Sequence, residues 1–174
     1  MMEISRDQLR IFTVIVGGLV LASYVWGVSR LSQPSDLWGG VTGNLQRFSV
    51  IFMFVAAIGY LIYWWITLFQ MESGDVANLR WPWGESDNKG TNRLLLSFAI
   101  FLIPSALWIE STGLHLRNPS DFTPFLVVGT LLLAGIGNVM LGLLAFSAYQ
   151  DDIPRASWLL FGAFAVSIQC IIND

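Results

Sequence analysis

Charged and chemically reactive side chains are scarce in this chain. Of its 174 residues, 12% are charged, one is cysteine and one is histidine. Soluble domains carry about 25% charged residues, so the composition excludes an ordinary water-soluble protein. The single cysteine, Cys170, permits no internal disulfide, and the single histidine, His115, excludes haem ligation by a pair of histidines within the chain. Lysine and arginine are not clustered, which argues against a nucleic-acid partner.

Five long apolar stretches contain no Asp, Glu, Lys, Arg or His. They cover residues 11–28, 48–70, 94–109, 123–149 and 157–172. A charge-free run of about 20 residues spans the ~30 Å hydrocarbon core of a bilayer as a helix. The sequence therefore predicts an all-α integral membrane protein in which residues 1–174 form a single domain of five transmembrane helices in the lipid bilayer. The third and fifth stretches are the shortest, and a four-span protein with a shallow final helix is the alternative.

Lysine and arginine are unevenly divided between the two predicted membrane faces. With five spans, the face that includes the N-terminus carries Arg6, Arg10, Arg80, Lys89, Arg93 and Arg155. The other face carries Arg30, Arg47 and Arg117. Because cytoplasmic loops carry the excess of Lys and Arg, this distribution predicts a cytoplasmic N-terminus.

The predicted spans hold few groups that perform chemistry. None contains lysine, which excludes a retinal Schiff base, and none contains a carboxylate, the usual mark of a proton or ion pathway. No Cys/His cluster suits zinc or an iron–sulfur centre. Glu110 and His115 are interpreted as headgroup-level residues outside the spans. We therefore predict a non-enzymatic protein with no catalytic residue, no metal site and no required cofactor.

A stripe of small and polar residues runs along the fourth span. Its members, Thr130, Ala134, Asn138 and Gly142, recur every four residues and so share one helix face. Membrane helices associate through close backbone approach and a few polar groups, so the stripe predicts a helix-packing face. Asn138 lies in mid-span, where an unpaired amide is costly, and it requires a partner on another helix, at an interface or on a ligand. The stripe therefore serves packing within the chain, a homo-oligomer or a larger membrane complex.

Aromatic residues share one face of the second span. Tyr60 and Tyr63 lie there, with Trp64 beside them. Two phenols in mid-membrane need hydrogen-bond partners, and their flat rings suit stacking on a planar ligand. Core packing is the alternative interpretation. Trp108 near the end of the third span and Gln169, a buried amide candidate in the last span, complete the set of polar and aromatic groups.

The layout resembles the TspO/MBR family, the tryptophan-rich sensory or translocator proteins. Its members are small five-helix membrane proteins rich in tryptophan, and this chain has eight. Three stretches are similar to family segments: Leu31–Ser35 (LSQPS), Ile58–Trp64 (IGYLIYW) and Phe164–Gln169 (FAVSIQ). The third span departs from the family, with Pro104 and Trp108 in place of an Asn-x-x-Trp pattern. The resemblance implies a pocket for a flat hydrophobic ligand such as a tetrapyrrole or sterol, lined by Tyr60, Tyr63, Trp64 and Gln169.

Three functional hypotheses follow from these observations. The first is a non-enzymatic membrane protein that binds a planar hydrophobic molecule within its bundle, with Trp108 and Asn138 added to the site from their own positions. The second is an accessory subunit that docks onto a larger complex through the stripe from Thr130 to Gly142. The third is a small transporter or channel for a neutral solute.

Overall fold

The structure, a computed structural model, describes residues 4–31 and 33–173, apart from the side chains of Pro34 and of residues 171–173. The regular elements in this part of the chain are helices. The helices are α1 (Arg6–Ser29), α2 (Gly43–Trp65), α3 (Ser73–Asn78), α4 (Gly90–Arg117), α5 (Thr123–Gln150) and α6 (Ala156–Ser167). A π-helical turn, Ile66–Gln70, extends α2, a π-helical segment, Ile168–Asn173, extends α6, and a 3-10 turn covers Pro34–Trp38.

Four of these helices are long and apolar enough to cross a membrane. They are Arg6–Ser29, Gly43–Gln70, Gly90–Arg117 and Thr123–Gln150. This confirms the coarse prediction of a helical, multi-pass membrane protein. The predicted fifth span, 157–172, corresponds to α6 and its π-helical segment, which are apolar but shorter. Five spans therefore remain a prediction, and four is the number that the helix lengths give.

The helices extend beyond the charge-free stretches that predicted them. The clearest case is α4, predicted over 94–109 and observed over Gly90–Arg117. Charged residues ended the predicted span because they leave the hydrocarbon, but they do not interrupt the helical backbone. Arg93 donates to the Leu79 carbonyl at 2.9 Å, and Arg117 pairs with Glu110 at 2.8 Å on the same helix. Pro104 lies inside α4 without ending it.

The four long helices and α6 form a ring in which sequence neighbours are not always spatial neighbours. α1 packs along α4, α4 along α5, α5 along α6, and α6 along α2. The ring closes between α2 and α1 through side chains, including a 2.9 Å hydrogen bond from the indole Nε1 of Trp64 to Oγ1 of Thr13. The gap between α1 and α2 is consequently the most open seam of the bundle.

Glycines allow the tightest helix contacts. An ideal Cβ on Gly162 would lie 2.6 Å from the Gly59 carbonyl oxygen, and one on Gly59 would lie 2.8 Å from the Gly162 carbonyl oxygen, so α2 and α6 touch backbone to backbone. An ideal Cβ on Gly137 would lie 2.7 Å from the carbonyl carbon of Ile100, which fixes α5 against α4. Pro104 has no N–H to donate to the Ile100 carbonyl. The contact with Gly137 therefore occurs where one backbone hydrogen bond of α4 is missing. Such close approach is how membrane helices associate.

Candidate ligand site between α1 and α2

The six residues predicted to bind a ligand do not line one pocket. Three of them lie beside α1: Tyr60, Trp64 and Trp108. Asn138 lies between α5 and α6, and Gln169 lies half-buried in the π-helical segment after α6. Tyr63 lies between the two groups, in the centre of the bundle. The predicted site is thus divided, and of its six residues only Tyr60, Trp64 and Trp108 lie beside α1.

Tyr63 is a core residue that links α2 to α5. Its side chain is 2% exposed, and its hydroxyl donates to the Leu141 carbonyl at 3.0 Å. Its ring meets Phe98 of α4 edge-on, with 6.1 Å between centroids. Since the hydroxyl donates within the chain and the side chain is 2% exposed, Tyr63 packs as a core residue and is not open to a ligand in this structure.

Two indoles attach α1 to the rest of the bundle at different depths. Trp64 donates to Thr13, and Trp108 donates its Nε1 to the Tyr24 hydroxyl at 2.8 Å. The rings of Tyr24 and Trp108 also meet edge-on at 5.9 Å. Thr13 and Tyr24 are separated by about 16 Å along α1 at 1.5 Å per residue. These two bonds leave a stretch of α1 between them that faces α2 without a hydrogen bond.

Tyr60 of α2 faces that stretch of α1. Its ring packs on two α4 phenylalanines, at 6.3 Å from Phe98 and 5.8 Å from Phe101. Its hydroxyl points to α1, where an ideal Cβ on Gly17 would lie 3.9 Å away. Among the described residues the hydroxyl has no hydrogen-bond partner, in contrast to that of Tyr63. A phenol in an apolar surrounding has one unused donor and acceptor here.

We call the region where these groups meet the α1/α2 cleft. It is defined by Gly17 on α1, by Tyr60 and Trp64 on α2, and by Phe98 and Phe101 on α4. Tyr60 and Trp64 are its half-buried aromatic residues, Phe98 and Phe101 are buried against Tyr60, and an ideal Cβ on Gly17 would lie 3.9 Å from the Tyr60 hydroxyl. Such a surface suits a flat apolar molecule that carries one hydrogen-bonding group. Within the described residues no three His, Cys, Asp or Glu side chains are grouped to hold a metal.

Few residues of α1 are fully buried. The buried residues of this helix are Leu9, Thr13 and Gly27, while its outer face exposes large apolar side chains such as Leu21 and Val25. An element with little buried surface opens at a low free-energy cost. The seam between α1 and α2 is therefore where a ligand would enter from the bilayer with the least disruption of packing.

Asn138 is fully buried, and only one of its two side-chain polar atoms has a hydrogen-bond partner among the described residues. Its Nδ2 donates to the Ser167 hydroxyl at 2.7 Å, and that hydroxyl donates to the Ala163 carbonyl at 2.8 Å. Its Oδ1 is buried with no partner among the described residues. The amide thus finds its partner on α6 of the same chain, whereas the Tyr60 hydroxyl lies beside Gly17 of α1.

The rest of the small-residue stripe is also covered within the chain. Thr130 lies 3.3 Å from the Ser111 hydroxyl of α4, and an ideal Cβ on Gly142 would lie 3.8 Å from the Ala163 Cβ of α6. Ala134 is buried as well. The stripe faces α4 and α6, so a partner protein would have to dock on another face.

The long loop after α2 is organised by Arg80, which sequence reasoning did not single out. Its guanidinium donates to both carboxylate oxygens of Asp151 at 2.8 and 2.7 Å, and to the Gly84 carbonyl at 3.0 Å. The Ser147 hydroxyl of α5 donates to the Arg80 carbonyl. Hydrogen bonding to Arg80 lowers the pKa of Asp151, and the same bond raises the pKa of Arg80. This pair holds the loop against the end of α5.

The α1 side of the cleft was also missed from the sequence. Thr13, Gly17 and Tyr24 follow a helical spacing of four and seven residues and include the polar and small residues of α1. That periodicity is a usable signal. It is hard to recognise because the first span is apolar on all sides. The order of the helices along the chain also does not show which helices this face contacts.

Comparison with known proteins returned no matching family model, no matching curated protein and no matching solved structure. The resemblance to the TspO/MBR family therefore stays a prediction. Ser32, in the first of the three resembling stretches, lies outside the described residues.

Proposed function

We propose that this protein is a non-enzymatic, multi-pass membrane protein that binds a flat hydrophobic molecule, tetrapyrrole- or sterol-like, in the α1/α2 cleft. One observation carries the proposal: Tyr60 presents an unpaired hydroxyl between aromatic rings at the loosest seam of the bundle. The resemblance to the TspO/MBR family contributes the class of ligand, and the geometry contributes the position.

The binding mode follows from the residues that surround the cleft. Phe98 and Phe101 are buried against the Tyr60 ring, so the ligand's flat face lies against the half-buried rings of Tyr60 and Trp64 once α1 moves aside. Its polar group exchanges a hydrogen bond with the Tyr60 hydroxyl. Each aromatic contact contributes about 0.5–1.5 kcal/mol beyond the burial of apolar area, and the hydrogen bond adds about 1 kcal/mol. Trp64 borders one side of the cleft. Its hydrogen bond to Thr13 breaks if α1 moves away from α2 to admit the ligand.

The proposal includes five spans and a cytoplasmic N-terminus. α6 and its π-helical segment cover Ala156–Asn173, a length of about 27 Å at 1.5 Å per residue. A bilayer adapts to a deficit of a few ångströms at low cost. Reporters fused before residue 1 and after residue 174, read separately, test both points, because five spans place the two termini on opposite sides and the first reporter gives the side of the N-terminus. A C-terminal reporter on the same side as the N-terminus would establish four spans.

Titration in mild detergent tests the binding function. A porphyrin is added to the purified protein while the intrinsic tryptophan fluorescence is followed, and a sterol is then added as a competitor. We expect saturable quenching at micromolar porphyrin because Trp64 borders the cleft. Quenching that stays linear with concentration would show partitioning into the micelle and would contradict the proposal.

A further inference from the structure

A shallow groove runs along the outside of the bundle between the C-terminal half of α2 and the start of α6. Its volume is about 410 Å³. The groove is walled by Leu61, Ile62, Ile66, Trp65 and Trp158, with Arg155 at one end. It lies on a different face of α2 from the α1/α2 cleft, so the two do not share a lining residue.

Arg155 is held in place at the end of this groove. It is the N-cap residue of α6, and its Nη1 donates to the Gln70 carbonyl at 2.6 Å. A guanidinium has five N–H donors, and in the described part of the chain Arg155 makes no further hydrogen bond and no ion pair. The side chain is exposed. A fixed cation with four unused donors therefore stands beside an apolar surface.

Two more arginines reach the same end of α2. The last carbonyls of a helix lack donors within the helix, and here Arg6 donates to the Thr67 carbonyl at 3.0 Å while Arg10 donates to the Leu68 carbonyl at 2.9 and 2.6 Å. Among these three arginines the ion pair in the described chain is Arg10 with Asp7, at 2.8 Å. Three arginines thus meet the last carbonyls of α2, with Asp7, Glu72 and Asp152 as acidic residues nearby.

Two exposed tryptophans place the groove at the membrane surface. Trp65 is 51% exposed and Trp158 is 56% exposed. Indole rings favour the headgroup level, where the ring is half-buried and its N–H remains wet. The apolar residues below them lie at acyl-chain depth, and Arg155 lies at the depth of lipid phosphates.

We propose that this groove binds one anionic phospholipid of the bilayer. The acyl chain lies along Leu61, Ile62 and Trp158, and the phosphate accepts hydrogen bonds from the free N–H groups of Arg155. Charge complementarity favours an anionic over a zwitterionic lipid, because Arg155 makes no ion pair in the described part of the chain. Guanidinium groups bind phosphate oxygens with strong, charge-assisted bonds.

Native mass spectrometry of the detergent-solubilised protein tests the site. The protein is titrated with a phosphatidylglycerol, with a phosphatidylcholine of the same acyl chains, and with glycerol phosphate as the free headgroup. We expect one phosphatidylglycerol to bind about tenfold more tightly than phosphatidylcholine, and Arg155→Gln to remove about tenfold of that affinity. Arg47→Gln is the matched control, since Arg47 is exposed at the opposite end of α2.

The outcomes separate the proposal from its competitors. Equal binding of the two lipids, or equal loss in Arg155→Gln and Arg47→Gln, would overturn it. Binding of glycerol phosphate as tight as that of the lipid would overturn it too, because the acyl chain would then contribute nothing. If Arg155→Gln fails to fold, Trp158→Leu replaces it: this exposed groove residue should weaken phosphatidylglycerol binding, and unchanged binding would refute the groove.

Discussion

Trp64 of α2 and Thr13 of α1 share a 2.9 Å hydrogen bond, and this bond spans the one seam of the ring at which the helices do not pack closely. Its donor is an indole from the predicted aromatic face, and its acceptor is a hydroxyl that is 1% exposed. The bond aligns α1 so that Gly17, four residues further on, faces Tyr60. The proposed binding site therefore depends on how α1 is held.

Filling the cleft from the α1 side should block the ligand. Gly17→Leu adds a side chain where the nearest atom to its Cβ is the Tyr60 hydroxyl, at 3.9 Å, so the isobutyl group would occupy the cleft. We expect porphyrin affinity to fall at least about tenfold, ~1.4 kcal/mol. Gly18→Leu is the matched control because an added Cβ there meets nothing within 4 Å. Equal affinities in the two variants, measured by tryptophan quenching, would argue against the cleft.

Tyr63→Phe should separate stability from binding. The change removes the hydroxyl that donates to Leu141, and a buried hydrogen bond contributes about 1 kcal/mol. We expect unfolding in SDS, followed by circular dichroism, to show that loss while porphyrin affinity stays the same. A loss of porphyrin affinity with no loss of stability would show instead that Tyr63 contacts the ligand.

The contact between α2 and α6 should not tolerate a methyl group. An added Cβ on Gly162 would lie 2.6 Å from the Gly59 carbonyl oxygen and 3.1 Å from the Tyr63 Cβ. Overpacking of this kind costs about 1–3 kcal/mol, so Gly162→Ala should unfold at lower SDS concentration. The control is Gly129→Ala, where an added Cβ meets nothing within 4 Å, and alanine there is neutral or stabilising. Equal stabilities would mean that α6 does not pack here.

The Arg80–Asp151 pair should make stability depend on pH in the acid range. The pKa of Asp151 is lower in the folded protein because of the hydrogen bond from Arg80. Its stabilising contribution is therefore complete above the unfolded pKa of about 3.9 and is lost as the pH falls through the folded value. The pKa of Arg80 is raised, so Arg80 stays charged throughout this range.

The measurement compares melting temperatures of the wild type and Asp151→Asn at neutral and acid pH. We expect the variant to melt lower at pH 7, and the difference to begin to shrink at about pH 4 and to disappear only below the folded pKa of Asp151. Asp152→Asn is the control at the adjacent exposed position, which has a left-handed φ of 51° that asparagine also adopts. A difference that is the same at both pH values would rule out the carboxylate as its source.

The sequence was sufficient to predict the class of fold because charge is excluded from hydrocarbon, and charge-free runs are visible directly. It predicted the ends of α4 poorly, since Arg93 and Glu110 leave the apolar region without leaving the helix. It grouped Tyr60 with Asn138, but the Asn138 amide pairs with Ser167 of α6 and the Tyr60 hydroxyl lies beside Gly17 of α1. Periodicity shows which residues share a face of one helix, but it does not show which helix that face meets. The α1 half of the cleft and the Arg80–Asp151 pair both depend on that missing information.

The most direct test removes one oxygen atom. Tyr60→Phe keeps the ring on Phe98 and Phe101 and deletes the unpaired hydroxyl, and Tyr149→Phe makes the same change at a tyrosine that is 56% exposed at the end of α5. With porphyrin and sterol titrated into each, we expect Tyr60→Phe to bind the ligand that carries the hydrogen-bonding group about fivefold more weakly, ~1 kcal/mol. Tyr149→Phe should bind like the wild type. Wild-type affinity in Tyr60→Phe for both ligands would contradict a binding site in the α1/α2 cleft.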